Sequence, residues 1–159
     1  MIRVERCTDA ELLNNILIED TRLREASLTD DEISYLQAGG NVINFNVSVY
    51  LLLYNNDNIC GFIKYEPLTS IMVSYHVYLK STFWGTGISH DVKHAVDTYF
   101  LSTTSFHKIL IQTPRPCENV IKAAFREGFQ IEGVLVGGIF WRGKVESLVL
   151  MSRFIRSIQ

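Results

Sequence analysis

The chain has 159 residues, of which 47% are hydrophobic and 20% are charged, and its formal net charge is −2. This composition is typical of a globular protein and excludes a disordered chain, and the length suits a single domain over residues 1–159. The absence of a basic excess argues against a nucleic-acid partner. The longest apolar run, residues 49–54, is too short to cross a membrane.

Cysteine usage predicts a reducing compartment. The chain has three cysteines, which is an odd number, and they are widely spaced with no C-x-x-C pair; they are Cys7, Cys60 and Cys117. Neither a disulfide framework nor a zinc site is therefore expected. The first residues alternate apolar and charged side chains and do not resemble a secretory signal. Together these features predict a cytoplasmic location.

The first third of the sequence predicts one short strand and two helices. Residues 2–4 alternate with charged residues, as in a strand. Thr8 and Glu11 have the spacing of a capping box, and apolar residues then recur at positions 12, 13, 16 and 17 with a helical period. A second capping box, at Thr29 and Glu32, opens a shorter helix, which the glycines at 39–40 end.

The remaining sequence predicts six strands and two helices. Strand-forming residues fill positions 47–54, 59–66 and 71–79, with turn residues between the first two. The later elements are a glycine turn at 84–89, a helix at 88–100, a strand at 108–112, a helix at 120–126, and strands at 129–141 and 145–154. The resulting order is β-α-α-β-β-β-α-β-α-β-β. It indicates an α/β (α+β) fold with a mixed sheet and helices on both faces.

The strand, glycine turn and helix at 71–100 carry the chemical signal. A helix start leaves backbone N–H groups free and has partial positive charge, and glycines let an anion approach the backbone. Gly85 and Gly87 therefore fit a phosphate or pyrophosphate cradle, although an ordinary tight turn fits them as well. No Walker A lysine follows, and His90 stands where a dinucleotide fingerprint would have its third glycine.

Several segments, taken in order, resemble the GCN5-related N-acetyltransferase (GNAT) superfamily, and most closely its ribosomal-protein N-terminal acetyltransferase branch. The run F-W-G-T-G-I-S at 83–89 resembles the acetyl-CoA loop. The run R-E-G-F-Q-I-E-G-V-L at 126–135 resembles that branch's Gly-Phe-x-x-Glu-Gly-x-Leu segment, and residues 141–144 and 148–152 resemble its terminal hairpin. The resemblance extends over about residues 59–154 and implies the acyl-CoA N-acyltransferase fold.

The resemblance also implies how acetyl-CoA would be held as a cosubstrate, without a metal. Tyr78 and Leu79 would pair with the pantetheine, and a gap between their strand and residues 108–112 would place the thioester. Cys117 takes the position of the family's frequent Asn after the fifth strand. An amine acceptor would attack the thioester directly. The backbone N–H groups of the loop would hold the pyrophosphate; these belong to Trp84, Gly85, Thr86, Gly87, Ile88 and Ser89.

Two family positions carry inert side chains in this sequence. The strand glutamate that some family members use as a base falls on Gln112, and the tyrosine often used as an acid falls on Ala124. The replacement candidates are His76 as base, Tyr78 as donor to the leaving thiolate, and Glu66 near the acceptor side. Each of the three also fits an ordinary packing or solvated role.

Two further features are weaker signals. Cys117 lies at a predicted helix start, where a thiol pKa can fall, but a covalent acyl-cysteine route departs from the family's direct transfer. His90 and His94 are four residues apart on a helix and could bind a metal. No third ligand is evident, so a solvated helix face is favoured.

Two functions remain open from the sequence. The first is an acetyl-CoA-dependent N-acetyltransferase acting on a primary amine, either a protein N-terminus or a small molecule. The acidic residues within 8–46 would favour a cationic acceptor. The second is a catalytically silent GNAT-fold binding or assembly module. A longer acyl-CoA, and a homodimer through the apolar terminal hairpin, also stay open.

Overall fold

The computed structural model describes residues 1–156, which fall into two compact units. The first unit consists of Met1–Glu66 and His76–Val96. The second consists of Pro67–Tyr75 and the chain from Asp97 onward. The single domain expected over residues 1–159 stays a prediction.

Seven strands and five α-helices form in residues 1–156. The strands are β1 (Ile2–Cys7), β2 (Val49–Asn55), β3 (Asn58–Pro67), β4 (Met72–Leu79), β5 (Lys108–Pro114), β6 (Gln130–Trp141) and β7 (Lys144–Phe154). The helices are α1 (Ala10–Glu19), α2 (Thr21–Ser27), α3 (Asp30–Gln37), α4 (Ile88–Thr103) and α5 (Glu118–Arg126). None of these helices is long and apolar enough to cross a membrane.

The strands follow the hydrogen-bonded order β1-β2-β3-β4-β5-β7-β6. β4 and β5 are parallel, as a β-α-β crossover requires, and the recorded pairs β1–β2, β2–β3, β5–β7 and β6–β7 are antiparallel. The parallel ladder covers three residue pairs, from Met72–Lys108 to Ser74–Leu110. The predicted mixed sheet is therefore confirmed.

The helices before β2 number three rather than the two predicted. Asp20 ends α1 and also begins α2, because its carboxylate accepts a hydrogen bond from the Leu23 N–H at 2.9 Å. The predicted capping box at Thr8 is wrong: Asp9 caps α1 by accepting from the Leu12 N–H. The capping box at Thr29, at the start of α3, is confirmed.

The core of the first unit lies between the early helices and the strands β2 and β3. Leucines recurring with a helical period on α1 bury their side chains there, and Tyr50 and Phe62 pack among them. The Tyr78 ring, from the end of β4, stacks on Phe62 with ring centroids 4.4 Å apart. This packing holds the second half of β4 against the core of the first unit.

The core of the second unit contains a buried ion pair. Arg153 of β7 is 8% exposed, is paired with Asp97, and lies 5.1 Å from the Phe129 ring. Tyr75 packs against Phe129, with ring centroids 6.4 Å apart. Burial raises the pKa of Tyr75 to about 12, so this phenol stays protonated.

Candidate functional site

The glycine turn between β4 and α4 has the backbone that the sequence predicts. A short 3₁₀ turn at Ser81–Phe83 follows β4, and both glycines then adopt positive φ, 75° at Gly85 and 84° at Gly87. Only glycine adopts this region without strain. A Cβ atom added at either position would meet nothing within 4 Å. The turn therefore requires its glycines and faces open space.

Some of the N–H groups in the turn are already used. The Trp84 N–H donates to the Ser81 carbonyl at 3.2 Å, and the Thr86 N–H donates to the Phe83 carbonyl at 3.4 Å. Among the six N–H groups of residues 84–89, those of Gly85, Gly87, Ile88 and Ser89 have no acceptor within residues 1–156. Ile88 and Ser89 are the first two residues of α4, a helix of 16 residues, and the N-terminus of a helix carries partial positive charge. Four N–H groups of the turn are therefore free to bind a ligand, and the pyrophosphate cradle stays a prediction.

The turn is braced by the segment that links α1 to α2. The second oxygen of Asp20 accepts a hydrogen bond from the Ser81 N–H at 2.6 Å. Burial alone would raise the pKa of Asp20, but the hydrogen bonds from Leu23 and Ser81, with the charge of Arg22, lower it overall. The guanidinium carbon of Arg22 lies 5.1 Å from the Trp84 ring centroid. The positively charged side chain of Arg22 therefore lies beside the glycine turn.

The end of β4 lies unusually close to β3 at Gly61. A Cβ atom on Gly61 would overlap the Tyr78 carbonyl oxygen, well inside van der Waals contact, and would lie 3.0 Å from Leu79 Cα. The Lys80 N–H donates to the Cys60 carbonyl at 2.9 Å, and the Trp84 indole N–H donates to the Leu79 carbonyl at 2.7 Å. Glycine at position 61 thus sets where the backbone of residues 78–79 lies.

His76 and Tyr78 lie side by side on one face of β4. Their ring centroids are 4.4 Å apart, and neither side chain has a hydrogen-bond partner among residues 1–156. Burial, with the charge of Lys64, lowers the pKa of His76 to about 4. Burial, with the charges of Glu32 and Glu66, raises the pKa of Tyr78 above its usual value. Near neutral pH the imidazole is therefore uncharged and the phenol protonated.

Glu66 is the next-to-last residue of β3, and its carboxylate already has hydrogen-bond partners. Its carboxylate accepts hydrogen bonds from the Ser48 hydroxyl at 2.6 Å and from the Lys64 ammonium at 3.1 Å. Burial favours a higher pKa at Glu66, but these two partners outweigh it and lower the pKa below its usual value. Glu66 is therefore an ionised carboxylate that two hydrogen-bond donors hold in place.

Three positions that the sequence analysis singles out lie in the second unit: Cys117, Gln112 and Ala124. Burial raises the pKa of the Cys117 thiol, although the charge of Arg142 opposes this, so the lower pKa expected at a helix start is not found. Gln112 on β5 is exposed, and Ala124 on α5 is buried. No group of three histidine, cysteine, aspartate or glutamate side chains within residues 1–156 could hold a metal ion.

Three residues of this region were not predicted from the sequence. Gly61 interrupts an apolar strand, which is a sign of close backbone approach that could have been read. Asp20 is a residue type that is common at helix N-caps, but its hydrogen bond from the Ser81 N–H, 61 residues away, leaves no pattern in the local sequence. Arg22 next to Trp84 is likewise a contact made only by the fold.

Comparison with known proteins supports the fold. No protein-family model matches the chain, and no curated protein matches it. Solved structures do match over nearly the whole length. An acetyltransferase from Salmonella typhimurium that modifies the N-terminal serine of ribosomal protein L7/L12 shares 16% identity, with a TM-score of 0.75, over 98% of this chain and 95% of its own.

Two other structures show the same similarity. A mutant spermidine N-acetyltransferase from Vibrio cholerae shares 16% identity, with a TM-score of 0.72, covering 97% of this chain and 94% of its own. A ribosomal L7/L12 α-N-protein acetyltransferase in complex with coenzyme A shares 15% identity, with a TM-score of 0.73, covering 96% and 93%. The chain therefore has the acyl-CoA N-acyltransferase fold, and the family resemblance is confirmed at the level of the fold.

Proposed function

We propose that this protein is an acetyl-CoA-dependent N-acetyltransferase that moves an acetyl group to a primary amine by direct attack. The observation that carries the proposal is the pair of positive-φ glycines before α4, with four N–H groups free to bind an anion. Solved proteins of this fold include acetyltransferases for a ribosomal protein N-terminus and for spermidine, and one holds coenzyme A.

The chain offers matching groups for the parts of acetyl-CoA. The free N–H groups at Gly85, Gly87 and the first turn of α4 would bind the pyrophosphate, with the positive charge of Arg22 nearby. Charge-assisted hydrogen bonds of this kind are about twice as strong as neutral ones. The pantetheine would lie along the backbone of residues 78–79, whose position Gly61 sets. Cys117 stays a predicted contact of the cofactor.

For the acceptor, we propose a cationic amine drawn by the acidic side chains near β4. Glu66 is ionised and anchored by Ser48 and Lys64, and Glu32 is close enough to influence the pKa of both His76 and Tyr78. An amine must lose a proton before it attacks. His76 is uncharged near neutral pH and has a free ring nitrogen, so we propose that it accepts this proton transiently and passes it to water.

Tyr78 would act on the leaving group. Its hydroxyl stays protonated because its pKa is raised, and it has no hydrogen-bond partner in residues 1–156. A buried donor of this kind can stabilise the negative charge that develops on the thiolate or on the thioester oxygen. Donating a hydrogen bond, rather than transferring the proton outright, is the role that a raised pKa favours.

Steady-state release of coenzyme A thiol tests the proposal with two acceptors, spermidine and a peptide with a free N-terminal serine. Turnover that requires either amine supports it. Tyr78→Phe is expected to lower kcat by about 10²-fold, and His76→Ala by a similar factor, with little change in acetyl-CoA binding. Tyr54→Phe, a tyrosine on β2 outside the pair, serves as the control. Full activity in His76→Ala would eliminate His76 as the base.

The second candidate function is a binding or assembly module that keeps the fold without catalysis. The exposed amide at Gln112 and the buried methyl group at Ala124 favour it, because neither can move a proton. This candidate predicts acetyl-CoA binding, or no binding, without thiol release for either acceptor. Repeating the assay with a longer acyl-CoA separates it from an acyltransferase of different chain length.

A further inference from the structure

The last residue of β4 turns its backbone N–H and C=O groups away from β3. Leu79 lies against Gly61, and a Cβ atom added to that glycine would be 3.0 Å from Leu79 Cα. The next residue, Lys80, donates its N–H to the Cys60 carbonyl at 2.9 Å. Residues that bond to a given neighbour alternate along a strand with residues that do not, so the backbone groups of Leu79 point to the other edge of β4. An extended ligand with amide groups would meet Leu79 at that edge.

The Trp84 side chain already hydrogen-bonds the Leu79 carbonyl. A short 3₁₀ turn follows β4, with the Phe83 N–H donating to the Lys80 carbonyl at 2.9 Å, and it brings the indole back to the end of the strand. The indole N–H donates to the Leu79 carbonyl at 2.7 Å, and the guanidinium carbon of Arg22 lies 5.1 Å from the ring centroid. The side chain is nevertheless exposed, so a ligand can reach this hydrogen bond.

We propose that the Trp84 indole is an exchangeable cap on the Leu79 carbonyl, which it gives up to a pantetheine amide of coenzyme A. The inference rests on the proposed function, in which the pantetheine lies along residues 78–79. Pantetheine contains amide N–H groups, the same kind of donor that a neighbouring strand would bring to this edge. The indole N–H leaves when such a group arrives and returns when the ligand departs. Adenosine diphosphate, which lacks the pantetheine, leaves the cap in place.

The exchange keeps the Leu79 carbonyl hydrogen-bonded whether or not the ligand is present. Leu79 is half-buried, and a carbonyl that loses its donor away from water costs free energy. The indole bond must break before the amide can take its place, which offsets part of the binding free energy that the amide contributes. One neutral hydrogen bond changes a dissociation constant about 2- to 10-fold, so the cap weakens coenzyme A binding by about this factor and eases its release.

Proton–nitrogen NMR spectra of the full chain test the exchange at the indole itself. The chain has two tryptophans, Trp84 and Trp141, so Trp84→Phe removes one of the two indole cross-peaks and thereby assigns both. Saturating acetyl-CoA or desulfo-coenzyme A should move the Trp84 cross-peak upfield in the proton dimension and speed its solvent exchange several-fold, because the indole loses its acceptor. Saturating adenosine diphosphate should leave that exchange rate unchanged. The buried Trp141 serves as the internal reference.

The affinity of Trp84→Phe tests the same exchange by calorimetry. Phenylalanine keeps an aromatic ring beside Arg22 and removes the indole N–H donor. Acetyl-CoA should therefore bind this variant about 2- to 10-fold more tightly than the wild type, and adenosine diphosphate should bind both equally. Trp141→Phe is the matched control, at the tryptophan that ends β6 in the second unit, and should leave both affinities unchanged.

The outcomes separate this inference from the proposed function. A wild-type chain that binds acetyl-CoA while the Trp84 indole exchanges as slowly as before would overturn the inference and leave the proposed function standing. The same holds if Trp84→Phe, shown by circular dichroism to be folded, binds acetyl-CoA no more tightly than the wild type, since the carbonyl would then accept both donors at once. A wild-type chain that binds no acetyl-CoA would overturn the proposed function and this inference with it.

Discussion

Gly87→Ala separates the anion-binding role of the glycine turn from its structural cost. Gly87 has φ of 84°, and an added Cβ would meet no protein atom within 4 Å. The left-handed conformation costs an alanine roughly 1–2 kcal/mol, so the variant should lose about this much unfolding free energy. Gly39→Ala should lose the same amount, because Gly39 also has φ of 84° and an open Cβ position.

The two variants should differ in their affinity for acetyl-CoA. A methyl group on Gly87 would extend into the open space in which the proposed pyrophosphate site lies. Losing one hydrogen bond to a charged oxygen corresponds to about 1.5–3 kcal/mol. Acetyl-CoA should therefore bind Gly87→Ala about 10- to 100-fold more weakly than the wild type, with Gly39→Ala unchanged.

Isothermal titration calorimetry gives the affinities, and urea denaturation gives the unfolding free energies. If Gly87→Ala binds acetyl-CoA as tightly as the wild type while losing the same stability as Gly39→Ala, the glycine turn does not bind the pyrophosphate. Equal losses of affinity in both variants would trace the effect to general destabilisation rather than to the turn.

Three other outcomes are expected. Gly61→Ala should cost about 1–3 kcal/mol of unfolding free energy in urea, because its Cβ overlaps the Tyr78 carbonyl, whereas Gly133→Ala, with nothing within 4 Å, should cost little. Asp20→Ala should cost about 1 kcal/mol at pH 7 through the lost helix cap. The folded pKa of Asp20 is lowered, so its stabilisation is complete above the unfolded value of about 3.9 and disappears as pH falls through the folded value. Urea titrations should therefore show a constant wild-type advantage from about pH 5 to 8 and a shrinking one below about pH 4. Arg22→Ala should weaken acetyl-CoA binding several-fold, and less so as salt rises, since its exposed charge is screened; a salt-independent loss would contradict a direct charge effect.

The glycine turn and the positions of the strands along the chain were predictable because their signals are local. Gly85 and Gly87 are the residues that a positive-φ turn needs, and runs of strand-forming residues bounded by turn residues mark the strands regardless of their neighbours. The third early helix was not predicted, because α2 has seven residues and buries only Leu23, which is too little to produce a helical period in the sequence. Its N-cap, Asp20, comes directly after Glu19, the last residue of α1.

The chemistry at β4 could not be predicted for a different reason. The sequence places His76 and Tyr78 two residues apart on a strand, which predicts a shared face but not their surroundings. The lowered pKa of His76 comes from burial and from Lys64 on another strand. The engagement of Glu66 depends on Ser48, 18 residues earlier in the chain. Such effects arise only when distant segments pack together.

Binding of acetyl-CoA to the purified wild-type chain tests the central claim most directly. Calorimetric titration with acetyl-CoA, alongside desulfo-coenzyme A and a free adenosine nucleotide, should show a dissociation constant in the micromolar range, about −8 kcal/mol. The nucleotide lacking pantetheine should bind more weakly than desulfo-coenzyme A. Absence of binding at millimolar acetyl-CoA would contradict the account, and the glycine turn would then be an ordinary connection between β4 and α4.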